Sequence, residues 1–145
     1  MRKLVRDVMT PDPRTVTPET SVVEAARLLE QDDVGSLPVV DATGILVGMI
    51  TDRDIAVRVV AAGRDPRTTP VGEVASTNVS PAYPDEPLDE ALEQMAYRQV
   101  RRLPVVDDDR VVGILAQADV VHEVKPKQAG KLVEEISQEP QRLAI

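Results

Sequence analysis

The sequence predicts an α+β fold: two tandem repeats, each β-α-β-β-α, packed sheet to sheet with pseudo-twofold symmetry. Three observations predict it. Leu37-Pro38-Val39-Val40-Asp41 returns 66 residues later as Leu103-Pro104-Val105-Val106-Asp107. Around each copy the apolar residues follow helical and then strand spacing in the same order. Neither copy alone holds much apolar material, and each has Val- and Ile-rich strands that need covering, which packing the two copies together supplies.

The match extends backwards from that anchor, with Glu24-Ala25 facing Glu90-Ala91, Pro18 facing Pro84 and Val8 facing Val74. Downstream, Gly48 faces Gly113 and Asp54 faces Asp119 at an offset of 65, so one residue has been lost in the turn between. The resulting division is repeat 1 over 1–62, a linker over 63–70, repeat 2 over 71–125 and an amphipathic tail over 126–145.

Each element has a local cause. Thr15 to Thr17 favours a short strand that ends at Pro18. Val22, Ala25, Ala26 and Leu29 then form a helical face, and Ser21 with Glu24 has the spacing of a capping box that starts it. Leu88, Ala91, Leu92, Met95 and Ala96 repeat the stripe, with Pro87 suited to a first helical turn. Leu37 to Val40 and Ile45 to Ile50, like Leu103 to Val106 and Val111 to Leu115, read as adjacent strands joined by a tight acidic turn. A second helix begins near Asp52, with Ile55, Ala56, Val59 and Val60 on one face. Gly63 to Pro70, with its Gly, two Pro and charged residues, reads as the linker. Beyond Val121 the pattern is interrupted at Pro126, and a last stretch carries Leu132, Val133 and Ile136, suited to dock on its own domain or on a partner.

Composition narrows the function. The 145 residues contain no Cys and one His, which removes thiol nucleophiles, zinc clusters and most histidine catalysis. The formal net charge of −8 offers no basic stripe for polymeric nucleic acid, and Tyr83 and Tyr97 are too few rings to stack a run of bases. A single nucleotide remains allowed, because one phosphate needs only a local cluster of donors. No apolar run approaches a signal sequence or a membrane span, which predicts a cytoplasmic protein without a membrane partner.

The strand motif followed by Gly48-Met49-Ile50-Thr51-Asp52-Arg53-Asp54 resembles the CBS domain family and its Gly-x-x-Thr-x-x-Asp nucleotide motif. The second copy matches with Gly113-Ile114-Leu115-Ala116-Gln117-Ala118-Asp119, and the resemblance spans about Val8 to Val121. A bare pair with a short tail is similar to the small stand-alone CBS proteins of bacteria. The resemblance implies a regulatory unit, without catalysis, that binds AMP, ADP, ATP or a related adenosyl ligand in the cleft between the copies and dimerises into a disc. The nucleotide is then a regulatory ligand, and no cofactor is expected.

The same resemblance places the hydroxyl of Thr51 near ribose and phosphate and the carboxylate of Asp54 on the ribose hydroxyls. The chemistry agrees, since a carboxylate accepts from two vicinal hydroxyls and a hydroxyl donates to an anionic oxygen. Thr51 would sit where unpaired helix N–H groups favour a phosphate, with Arg53 adding a charged donor. The competing reading is a helix cap, in which Thr51 and Asp54 satisfy only local backbone donors. In the second copy Asp119 is kept while Ala116 replaces the hydroxyl, which predicts one strong cleft before two. Arg101 and Arg102 stand where some relatives carry phosphate-reaching bases, against the alternative of a solvated pair. Val16 and Thr17, or Ala82 and Tyr83, are where the family forms its adenine slot, although Tyr83 also fits plain packing.

The remaining candidates read as structural. His122 has no ligand set and sits on a helix surface, Arg58 and Arg98 read as surface residues, and Asp107 to Asp109 as a polar turn. Asp52 and Asp54 point to different faces of a helix and make a poor metal pair. Three functions compete. The leading one is an adenine-nucleotide sensor that acts as a homodimer. The second is a dimerisation or protein-interaction module with vestigial clefts and an unidentified protein partner. The third, a small hydrolase, has no nucleophile-base pair to support it.

Overall fold

The computed structural model describes residues 2–120, and its compact units do not follow the repeat boundaries. Residues 12–79 join 108–111 in a first-repeat unit, while the chain up to Pro11 joins Ser80–Asp107 and the chain from Val112 in a second-repeat unit. The opening segment of each repeat therefore packs with the body of the other. The predicted tail over 126–145, and His122, lie outside the described residues.

The exchange is reciprocal in its hydrogen bonds. Short 3-10 turns at Val5–Asp7 and Val71–Glu73 open the two segments. Val5 and Arg6 N–H donate to the carbonyls of Glu86 and Pro84, as Val71 and Gly72 N–H donate to those of Thr20 and Pro18. Two residues before each turn a carbonyl caps a helix: that of Lys3 accepts from Leu88 N–H at 2.8 Å and that of Thr69 from Val22 N–H at 2.9 Å. The predicted linker over 63–70 is thus a fastened cap, with Pro66 O taking a second N–H of the same helix, from Val23. Unsatisfied N–H groups at a helix start explain why chain is held there.

In the first-repeat unit, helix α1 (Val22–Asp32) starts at Ser21, whose hydroxyl accepts from Glu24 N–H, and ends at Asp33 in the left-handed conformation. It buries Val22, Ala25 and Leu29. Strand β2 (Ser36–Val40) pairs antiparallel with β3 (Leu46–Thr51) in the register Ser36 to Thr51, Leu37 to Ile50 and Val39 to Gly48. The far edge of β3 takes Ser76 from the exchanged segment, and the far edge of β2 takes Val16. The strand predicted at Thr15 to Thr17 is reduced to that one bridge, because Thr17 N–H turns away to the Thr20 hydroxyl and Pro18 has no N–H.

The second-repeat unit repeats this plan with β1 (Thr10–Pro11), helix α3 (Leu88–Arg98), β4 (Arg102–Asp107), β5 (Arg110–Ala116) and α4 (Gln117–Val120). Its sheet runs β1-β5-β4, with Thr10 opposite Ile114, and Ala82 bridges Val105 beyond β4. Pro87 stands at the N-cap of α3, one position before the first turn predicted for it.

The cores correspond position by position. Val71, Val16, Val22, Ala25, Leu29, Leu37, Val39 and Ile50 of one match Val5, Ala82, Leu88, Ala91, Met95, Leu103, Val105 and Leu115 of the other. Both motif glycines have a packing cause. A Cβ on Gly48 would stand 2.7 Å from the Ser76 carbonyl oxygen, and one on Gly113 2.6 Å from the Met9 sulfur. The exchanged segments come too close for any side chain there.

The second helix departs from its predicted face. After α2 (Asp52–Ile55) the chain continues as a π-helical turn over Ala56–Val60. Its bonds run from Ala61 N–H to Ala56 O and from Arg64 N–H to Val59 O, both at 2.9 Å. Widening the turn rotates the later residues. Val59 stays fully buried, whereas Val60 is 68% exposed and Ala56 also faces outward, which corrects the predicted stripe.

Candidate functional site

The junction of β3 and α2 gathers the first candidate residues. Thr51 is extended (φ −118°, ψ 162°) and caps α2. Its hydroxyl accepts from Asp54 N–H at 3.0 Å, and Asp54 Oδ2 accepts from Thr51 N–H at 3.0 Å. The capping box is complete, so the structural role weighed for this pair is present. It does not exhaust the pair. The Thr51 hydroxyl still has its proton to donate, and Asp54 Oδ1 keeps its lone pairs.

Asp54 is only 8% exposed. Arg58, one helical turn on, brings Nε to 3.9 Å from Asp54 Oδ1 and donates from Nη1 to the Val74 carbonyl at 3.0 Å. Arg58 is exposed, as the sequence reading has it, and the i, i+4 spacing still carries its guanidinium back over Asp54. Arg98 is half-buried, and its guanidinium donates to the Ser80 hydroxyl.

The helix start itself is not a row of unpaired donors. Asp52 N–H donates to Gly35 O at 3.0 Å, Arg53 N–H to Asp52 Oδ1 at 2.8 Å, and Asp54 N–H to Thr51. The expectation of unpaired N–H groups at this end is therefore corrected; side-chain and neighbouring-loop oxygens satisfy them first.

Val16 lies in the same unit, opposite Val39 on the far side of β2 from Thr51. Val39 is three residues along β2 from Ser36, the partner of Thr51, a separation of roughly 10 Å along the strand. Val16 is buried, and both its backbone groups are taken by Pro38 and Val40. Thr17 is exposed, with its N–H and hydroxyl both turned to the Thr20 hydroxyl.

The corresponding residues of the second-repeat unit are placed in the same way. Ala82 is buried and bonded to Pro104 and Val106, while Tyr83 is 52% exposed with its N–H on the Glu86 carboxylate. Arg101 is exposed, and its carbonyl accepts from Gln117 N–H at 2.7 Å, the counterpart of the Gly35 and Asp52 bond. Arg102 opens β4 and is half-buried. Ala116 ends β5, and half-buried Asp119 receives the Thr10 hydroxyl on Oδ2 at 3.5 Å. Sequence reasoning missed Thr10 and the clasping role of Arg58. For Arg58 the signal was its four-residue spacing from Asp54; for Thr10 there was none, because the contact spans 109 positions.

Among the described residues, no group of three His, Cys, Asp or Glu is placed to hold a metal ion, and no helix is long and apolar enough to cross a membrane.

Two sequence-related units, each with a strand-to-helix junction ending in a part-buried aspartate, define a tandem-repeat module. The chain belongs to the CBS domain family, which it matches over residues 5–61 and 71–126. It is 46% identical over 134 residues to the CBS domain-containing protein YhcV of Bacillus subtilis, covering 92% of this chain and 94% of that one. Among solved structures it is similar to the CBS domain pair of protein MJ0100 in complex with 5′-methylthioadenosine and S-adenosyl-L-methionine. That pair superposes with a TM-score of 0.77 at 36% identity, over 84% of this chain and 95% of the other. CBSX2 in complex with AMP aligns with a TM-score of 0.71 at 31% identity, over 82% and 93%.

Proposed function

We propose that this protein is a non-catalytic regulatory module that binds an adenosyl ligand, an adenine nucleotide or a close relative, through Thr51 and Asp54. The observation that carries the reading is the buried Asp54 carboxylate. One of its oxygens serves the cap, and the other, among the described residues, meets a guanidinium at ion-pair distance, where vicinal ribose hydroxyls can donate. The ligands named for MJ0100 and CBSX2 share an adenosine, which is the part such an acceptor recognises. Arg53, Arg101 and Arg102 are proposed to favour an anionic ligand, and Val16, Thr17, Ala82 and Tyr83 to form adenine slots. The proposal includes a homodimer in the cytoplasm, with the first-repeat site filled before the second because Ala116 has no hydroxyl.

Calorimetry on nucleotide-stripped protein tests it with AMP, ADP, ATP, S-adenosylmethionine and 5′-methylthioadenosine. Binding is expected for at least one, and Asp54→Asn, which keeps an acceptor for Thr51 N–H, is expected to weaken it at least about tenfold, the loss of a charged hydrogen bond. Absence of heat with all five ligands, or an unchanged affinity in Asp54→Asn, overturns the reading. Sedimentation checks the dimer.

The helix-start N–H groups already engaged, together with Ala116, favour a second reading: a dimerisation or interaction module with vestigial clefts. Capture of a partner that is lost on deleting residues 126–145 and is indifferent to nucleotide is the result that selects it.

A further inference from the structure

Arg58 is held at both ends. Its Nε faces Asp54 Oδ1 at 3.9 Å, and its Nη1 donates to Val74 O at 3.0 Å. Val74 is buried in the segment that begins the second repeat in sequence and packs in the first-repeat unit. Just beyond it, Ser76 and Met49 exchange both N–H to carbonyl bonds, which seat this segment on β3, while Ala75 N–H closes the segment's own turn on Val71 O. A guanidinium is a rigid planar fork, so one end does not shift without the other.

We propose that Arg58 is a positioning residue that sets Asp54 Oδ1 for a ligand and transmits occupation of that oxygen to the segment 71–77. The inference rests on the reading of Asp54 as the acceptor for ligand hydroxyls. Hydroxyls donating to Oδ1 weaken its pull on the guanidinium, whose bond to Val74 O then tightens and closes the segment on β3. The second-repeat unit has the same link in a shorter form: Asp119 takes the Thr10 hydroxyl directly, and Thr10 lies in the exchanged segment of that unit. In both units the motif aspartate is tied to the segment supplied by the other repeat.

Amide hydrogen exchange at Ala75 and Ser76 of the full chain tests the proposal, in wild type, Arg58→Met, Asp54→Asn and the double variant. Without ligand, Arg58→Met is expected to speed exchange about fivefold, as for loss of a partly exposed charged contact, Asp54→Asn to slow it because it too weakens the pull on the guanidinium, and the double variant to match Arg58→Met. Arg58→Lys keeps the charge without the fork and is expected to behave as Arg58→Met. With saturating 5′-methylthioadenosine, exchange slows in wild type but not in Arg58→Met, although the latter still binds; a merely structural arginine leaves that slowing intact. Additive single effects, unchanged or faster exchange in Asp54→Asn, or equal slowing in Arg58→Met overturns the proposal. If wild type binds no adenosyl ligand, the functional reading falls, while the ligand-free set still decides the Arg58 link.

Discussion

The two units share most of their core positions and their backbone ties, and differ in the polar side chains around them. Ile50 and Leu115 are fully buried at matched positions, as are Ala25 and Ala91. Around them the chemistry diverges. Thr51 becomes Ala116, and the arginine clasp on Asp54 is replaced by a hydroxyl on Asp119. Even a common tie is rebuilt: Arg14 holds Asp32 by two bonds in the first unit, and the matched pair in the second is Ser80 and Arg98, with the cation moved from the leading chain to the helix. Burial restricts what a core position accepts, since interiors are close-packed, whereas surface polar pairs need only find one another.

The turns diverge in the same way. In the first unit, Asp41 Oδ1 accepts from Thr43 N–H, the Thr43 hydroxyl and Ile45 N–H, and Gly44 takes φ +88°. In the second repeat, where the turn is one residue shorter, Asp108 and Asp109 both adopt positive φ, 54° and 64°. Two adjacent left-handed residues mark the tight hairpin turn that favours Asn-Gly.

The largest test of this comparison is a core cavity. Ile50→Ala and Leu115→Ala are each expected to cost about 3 kcal/mol. Because each unit depends on a segment from the other repeat, either change is expected to lower amide protection in both units together. Protection lost in one unit alone breaks the idea that the exchange couples them.

The motif glycines come next. Gly48→Ala is expected to cost about 2 kcal/mol and Gly113→Ala about 1 kcal/mol in thermal melts. The first would press on the backbone oxygen of Ser76, and the second mainly on the flexible end of Met9. Equal losses would show that Met9 has no room to move.

Relieving the second turn has a smaller effect of opposite sign. Replacing Asp108 by Asn and Asp109 by Gly is expected to stabilise the protein by about 0.5–1 kcal/mol, since Asn and Gly take positive φ more readily. The bond from Leu46 N–H to residue 109 is made to the backbone carbonyl and survives the change.

Acid is expected to act least, and first on the turn of the first repeat. Asp32 is held below the usual carboxylate range by its hydrogen bond to Arg14, Asp41 chiefly by the Thr43 hydroxyl with Ile45 and Thr43 N–H, and Asp65 by Arg67 N–H and then its side chain. All three lie in the first-repeat unit. A carboxylate whose folded pKa is lowered contributes stability above its unfolded value, near 3.8 here, and loses it as pH falls through the folded value. Local protection at residues 41–45 is therefore expected to fall below that pH before it does at residues 107–110, as read by amide exchange. Asp41→Ala is expected to remove the difference.

Much of this protein was written locally. The repeat, the helix starting at Ser21, the Leu37 to Val40 and Leu103 to Val106 strands, and the Thr51 and Asp54 cap all follow from neighbouring residues whose side chains and backbone serve one another. The candidate site was legible to the same extent, because its motif is a short run at one strand-to-helix junction. Tertiary structure alone decided which repeat each leading segment packs with, that Gly48 and Gly113 are spaces for that segment, that residues 63–70 cap a helix, and that Arg58 clasps Asp54 and Val74. The physical reason is range. Capping and periodicity act over three or four residues, whereas the exchange rests on backbone bonds such as Met49 to Ser76 and Thr10 opposite Ile114, formed between segments with no mark of each other in sequence.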